Sequence, residues 1–155
     1  MRIALFQPDI ALNVGAVART AACLNCPVDI IGPCGFPFSL KALRRSGMDY
    51  LETAQLTSHV SWDAYRTTHA KAQIVLFTTK ATQSAIDYSF QTDNILLFGR
   101  ESAGAPPEVH AAVGARVRLP MQAQTRSLNL SISVAMGLTL AYQKCGLWHR
   151  LEGQA

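Results

Sequence analysis

Short unbroken apolar runs alternate with stretches of helical period from one end of the chain to the other. Arg2–Phe6, Val28–Ile31, Gln73–Phe77, Asn94–Phe98 and Arg116–Leu119 lack the polar alternation of a half-exposed strand. Strands buried on both faces read this way, as in a parallel sheet covered by helices. Ala54–Thr57 is a weaker sixth candidate. Between them, Asn13–Leu24, Ser39–Arg45, Ser61–Lys71, Pro107–Val113 and Ser127–Lys144 carry the helical pattern. Asn13 and Ser127 stand where N-caps belong, and Pro106-Pro107 fits a helix start. The alternation predicts one α/β domain over residues 1–150, a single parallel sheet with helices on both faces, and a loose tail at 151–155.

Composition agrees with a compact domain. Of the 155 residues 49% are hydrophobic and 15% charged, which excludes a disordered chain. The formal charge of +4, mostly carried by Arg, permits a nucleic-acid partner without requiring one. The first apolar run is too short for a signal-peptide core, and no run approaches the ~20 residues of a membrane span. A cytoplasmic protein is expected, with Cys23, Cys26, Cys34 and Cys145 as reduced thiols.

In open parallel sheets ligands sit outside the carboxyl ends of the strands. Three loops there are distinctive: Thr78-Thr79-Lys80 after Phe77, Gly99–Gly104 after Phe98, and Pro120–Ser127 after Leu119. The two glycines around Glu101 imply tight turns and close backbone approach to a ligand, although an ordinary strand-to-helix turn has the same composition. Arg126, Ser127 and Asn129 open a long apolar helix, with Asn129 expected at its second or third position. Near the start, Asn13-Val14-Gly15 precedes Arg19 by one turn; a core helix whose arginine reaches solvent reads the same.

Other chemistries lack their residues. Ala105 occupies the place of a Walker lysine, and the first strand is not followed by GxGxxG. Cys23 and Cys26 have CxxC spacing but no second pair, and Cys23 is expected to be buried in the first helix. The four histidines are scattered, and no GxSxG elbow is present. Trp62, Tyr65 and Trp148 are expected to pack in the interior.

Together, Asn13-x-Gly15-x-x-x-Arg19, Leu96-Leu97-Phe98-Gly99-Arg100-Glu101-x-x-Gly104 and Leu119-Pro120-Met121 with Arg126-Ser127-Leu128-Asn129-Leu130-Ser131 resemble the motifs of the SPOUT methyltransferase superfamily, in its TrmH-like 2′-O-methyltransferase branch. Order and spacing agree over nearly the whole chain. Gly35-Phe36-Pro37 and Leu43–Tyr50 look like the subfamily that acts on the wobble nucleotide, position 34, of tRNA. Ala105 departs from the Leu common in relatives.

The resemblance implies a SPOUT (α/β-knot) fold with a C-terminal trefoil knot. It also implies a homodimer formed through the first and last helices, with each active site drawing on both subunits. The activity implied is S-adenosylmethionine-dependent 2′-O-methylation of C or U at position 34, with an anticodon stem-loop as partner. Cofactor contacts carry over to Phe77, Thr78, Gly99, Glu101, Gly104, Leu119, Met121, Ser127 and Leu128. Arg19, Ser127 and Asn129 become the catalytic candidates, while Arg19, Lys41, Arg44, Arg45, Arg100 and Arg126 are the RNA-binding candidates. No metal is implied. The alternatives are the same transfer on another tRNA position or on ribosomal RNA, and a non-catalytic RNA- or nucleotide-binding module.

Overall fold

The computed structural model describes residues 1–39 and 53–152. In chain order the elements are β1 (Arg2–Phe6), α1 (Ala11–Cys23), β2 (Val28–Ile31), β3 (Leu56–His59), α2 (Trp62–Thr68), β4 (Ile74–Phe77), β5 (Ile95–Phe98), α3 (Pro107–Ala112), β6 (Ala115–Val117), α4 (Leu130–Cys145) and α5 (His149–Glu152). The expected helix at 39–45 falls, apart from Ser39, outside the described residues, as do Lys41, Arg44 and Arg45. The short α5 takes in Leu151 and Glu152, two residues expected to belong to the tail.

Six parallel strands form one sheet in the order β3-β2-β1-β5-β4-β6. The side-chain period of two splits each apolar run between two cores. Ile3, Leu5, Val28, Ile30, Val75, Leu96 and Phe98 face α1 and α4. Ala4, Phe6, Ile31, Ile74, Leu76, Ile95 and Leu97 face Tyr65 of α2 and Val109 of α3. Both faces are thus covered, which explains why these runs show no alternation. Edge strand β3 buries Leu56 and exposes Thr57 and Ser58, and it starts two residues later than its weak pattern suggests.

Two capping assignments are corrected. Helix α1 starts at Ala11 after Ile10, without a side-chain cap, and Asn13 lies inside it with its amide committed to tertiary bonds. Helix α4 is capped by Asn129, whose Oδ1 accepts from the Ser131 and Ile132 amides, so Ser127 lies in the preceding loop. Cys23 is exposed and Cys26 is the buried thiol, reversing that expectation as well. Burial pushes the Cys26 thiol up to about 11, so it is a packing residue.

The scattered histidines also prove partly convergent. Asp29, fully buried on β2, accepts from Arg2 Nη1 at 2.7 Å and from the Tyr65 hydroxyl at 3.3 Å. His59 Nε2 lies 3.3 Å from Oδ1 and His69 Nε2 3.6 Å from Oδ2. The carboxylate and two imidazoles have the composition of a cation site. Asp29 is nevertheless already matched by a guanidinium and a hydroxyl, and it acts as a charge-paired tie between β1, β2, β3 and α2.

Burial lowers the His69 imidazole below its ordinary 6.5, outweighing the opposing pull of Asp29. A base with a depressed folded pKa leaves the unfolded chain binding more protons, so this contribution is intact above about 6.5 and is lost as pH falls. Urea denaturation across pH 7 to 5 is expected to show falling stability, with a shallower fall in His69→Gln. Equal slopes for the two proteins would rule out His69 as the source.

Candidate active site

The carboxyl ends of β4, β5 and β6 open into the loops singled out in the sequence, and those loops enclose a cleft of about 480 Å³. This volume suits a small-molecule ligand. Phe77 and Phe98 end neighbouring strands and stack at 4.7 Å, forming its floor. Gly137 brings α4 against them, since a Cβ there would lie 2.9 Å from the Phe77 ring.

The middle loop is built on its glycines. Arg100 and Gly104 exchange backbone hydrogen bonds of 3.2 and 2.9 Å, and Gly104 has φ +68°. A Cβ on Gly99 would come within 2.5 Å of the Ala105 nitrogen and the Gly104 carbonyl carbon. Ala105 itself is buried beneath the loop beside Val109. The turn therefore exposes Arg100 to Gly104 along one wall of the cleft.

A chain of polar contacts joins this loop to both helices. Glu101 Oε1 accepts from Asn13 Nδ2 at 2.9 Å, and Asn13 Oδ1 accepts from Asn129 Nδ2 at 3.0 Å. Asn129 Oδ1 then caps α4. The other Glu101 oxygen accepts the Asp9 amide at 2.7 Å. Every group in this relay has a partner, which fixes the amide orientations.

The candidates for cofactor contact come together. Phe77 and Thr78 line one side, Gly99, Glu101 and Gly104 another, and Leu119, Met121, Ser127 and Leu128 the third. Of the catalytic candidates, Ser127 and Asn129 line the cleft, whereas Arg19 sits on an exposed side of α1 and is not among the lining residues. Arg100 lines the cleft and Arg126 is exposed in the loop before α4.

Thr79, Lys80 and Ser102, members of the loops expected from the carboxyl-end rule, also line the cleft. His110, which projects from α3, was not anticipated. His110 had no local signal, because helix packing alone brings it there. Its Nε2 is buried with no partner among the described residues. Burial first, then the Lys80 and Arg116 charges, hold its imidazole below the ordinary value.

Residues 1–139 match the model of the SpoU rRNA methylase family, and the chain belongs to that family. A tRNA (cytidine(34)-2'-O)-methyltransferase from Beijerinckia indica subsp. indica is 46% identical over 146 residues, covering 93% of this chain and 91% of that one. A solved structure that gives insight into the 2-OH methylation of C/U34 on tRNA superposes with a TM-score of 0.85 at 37% identity, covering 92% of this chain and 94% of that one. An AdoMet-bound rRNA methyltransferase from Sinorhizobium meliloti superposes with a TM-score of 0.78 at 26% identity, over 92% of this chain and 55% of that one.

The relay makes separable demands on Asn129. Asn129→Ala removes both cap and link and is expected to cost about 1–2 kcal/mol in urea denaturation. Asn129→Asp keeps the cap but has no donor for Asn13, so it should recover most of the stability while leaving the relay broken. Equal losses in the two variants would show that the cap contributes little.

Proposed function

We propose that this chain methylates the ribose 2′-oxygen of nucleotide 34, a cytidine or uridine, in tRNA, using S-adenosylmethionine. The observation that carries the reading is one cleft that gathers the three motif loops, in a chain similar over 92–93% of its length to relatives named for that reaction. The cleft suits this donor in size, in its glycine-walled loop and in the unpartnered His110 Nε2. Backbone groups around Phe77–Thr78, Gly99–Gly104 and Leu119–Leu128 would hold the adenosine, and Glu101 orders the loop that grips it. Bound S-adenosylmethionine supplies an electrophilic methyl group for in-line displacement.

The protein must align the hydroxyl and stabilise negative charge as it grows on the attacking oxygen. Asn129 and Ser127 orient the reacting groups at the mouth of α4. Arg19 clamps an RNA phosphate and stabilises that charge; its guanidinium, which offers donors and no acceptor, does not serve as the base. Because Arg19 lies outside its own cleft, it acts in the cleft of a second copy. Exposed Leu12 on α1 and Ile132 and Met136 on α4 supply an apolar surface for a homodimer.

The anticodon stem-loop meets a rim carrying Arg100 and Arg126; Lys41, Arg44 and Arg45, the other cations proposed to bind RNA, lie outside the described residues. A trefoil knot belongs to the same reading. It is supported by the bonds of Arg118 N to Gln83 O and of Ala85 N to Arg118 O, which tie the chain leaving β6 along residues 83–85. Among the described residues no helix is long and apolar enough to cross a membrane, and we place the enzyme in the cytoplasm with its tRNA.

Incubation with radiolabelled S-adenosylmethionine and total tRNA, followed by nucleotide mapping, should put label on the ribose of nucleotide 34. Label elsewhere keeps the chemistry and moves the target, whereas no transfer to tRNA or ribosomal RNA supports a binding module. Affinity for tRNA should fall steeply with salt, and an Arg44→Ala/Arg45→Ala variant should flatten the slope by about 2.

Shared active sites predict complementation. Arg19→Ala and Gly99→Ala homodimers are each expected to lose at least about 100-fold in kcat/KM, roughly 2.7 kcal/mol. Co-expressed as a mixed dimer, they should regain activity through the one cleft with both groups intact. Mixed dimers as inactive as their parents would place Arg19 with its own cleft or outside the reaction.

A further inference from the structure

We propose that Asp9 is a positioning residue of this active site, one carboxylate that sets both the cofactor loop and the orientation of Arg100 toward RNA. The role rests on the methyltransferase reading above for its substrates and on geometry alone for its contacts. Asp9 lies between β1 and α1, and strands β2, β1 and β5 are neighbours, so the loops at their carboxyl ends meet at this residue.

From the β5 loop, the Ser102 amide and hydroxyl donate to Asp9 Oδ2 at 3.0 and 2.6 Å. Arg100 Nη2 donates to Oδ1 at 3.1 Å. In the other direction, the Asp9 amide donates to Glu101 Oε2. Three consecutive residues of the loop are thereby tied to one residue outside it. From the β2 loop, Gly35 N donates to Pro8 O at 2.9 Å, and a Cβ on Gly35 would come within 2.9 Å of Asp9 Cα and Oδ1. The third loop therefore presses on Asp9 from behind and confines its carboxylate.

The residue type follows from the donor set. Three N–H or O–H donors converge on one side chain, and an ionised carboxylate offers acceptor sites for all of them with no donor of its own. Ser102 first, with Arg100 adding to it, lowers the Asp9 carboxyl below the usual range, so it stays ionised wherever the protein works. An amide would present an N–H to one of those donors. Arg100 is held by one nitrogen to Asp9 and more loosely by Nη1 to Gln7 Oε1 at 3.5 Å, and it remains more than a third exposed at the cleft. Charge-assisted bonds of this kind pre-orient a guanidinium, here with Nε buried and the side chain as a whole still reaching solvent. The two arms thus have different tasks: Ser102 holds the wall against the adenosine, and Arg100 faces the incoming backbone.

The test separates the arms by steady-state kinetics on the full chain. Asp9→Ala should raise KM for both S-adenosylmethionine and tRNA by about tenfold, the scale of one lost charge-assisted bond. Ser102→Ala should raise only the former and Arg100→Ala only the latter. The Asp9→Ala/Arg100→Ala double variant should have a tRNA KM no worse than Arg100→Ala, because Asp9 reaches RNA through Arg100. Unchanged constants in a folded Asp9→Ala protein, or effects that multiply in the double variant, would overturn the proposal. If Asp9→Ala does not fold, Asp9→Asn, of nearly the same size, replaces it with the same expectations.

Amide exchange over residues 99–104 in the ligand-free protein supplies the second readout. Faster exchange in Asp9→Asn than in wild type, with no methyl transfer by wild type, leaves the tie standing and removes the methyltransferase reading. Unchanged exchange removes the tie whatever the activity.

Discussion

The cleft depends on the relay from Glu101 through the buried Asn13 to Asn129, because these contacts join parts of the chain that have no local reason to meet. Asn13 lies 88 residues from Glu101 and 116 from Asn129. Each amide donates with its nitrogen and accepts with its oxygen, so the direction of the relay is set by the acceptor oxygen of Glu101 at its start. Its far end caps α4, which couples the position of a whole helix to a carboxylate in the opposite wall. Of the three relay residues, Asn13 is the buried one, so it is the amide whose loss of a partner would cost most.

Glycine makes the rest of the cleft possible. At Gly99 the obstacle to a side chain is backbone in its own loop, and at Gly137 it is the ring of Phe77. The first lets the loop double back so that Arg100, Glu101 and Ser102 project from a tight turn; the second lets α4 settle on the strand ends. Asp9 and Glu101 then act as opposed anchors, each accepting from the other's segment. A loop held by reciprocal bonds loses little further entropy when a ligand arrives, which is where pre-organised sites gain affinity.

The sheet was legible because its strands are buried on both faces and short, so β1 and β2 fall where their apolar runs do. Edge strand β3 was less so, since one exposed flank dilutes its pattern. Asparagine and serine near a helix start look alike in sequence whether they cap it or serve elsewhere. Asn13 and Ser127 have the look of caps for that reason, while Asn129 holds the cap as well as the tertiary bond. The cofactor candidates converge because motif spacing carries them. Asp29 with His59 and His69, His110 in the cleft, and Asp9 at the loop junction are long-range meetings that no local period encodes.

Charge placement links assembly to chemistry on the proposed reading. Within the cleft, Arg100 is engaged by Asp9, Glu101 by Asn13, and Asn129 by its own helix. These contacts build one wall of the cleft, and Arg100, the cation among them, is already engaged by a carboxylate. Lys80 lines the same cleft, close enough to the His110 imidazole to lower its pKa. A second guanidinium brought across an apolar seam between α1 and α4 would meet the reacting oxygen without having been desolvated in the monomer. It would also make the positive charge available only where two chains and an RNA backbone come together. On that reading the exposed Leu12, Ile132 and Met136 side chains would stabilise the same assembly that completes the site.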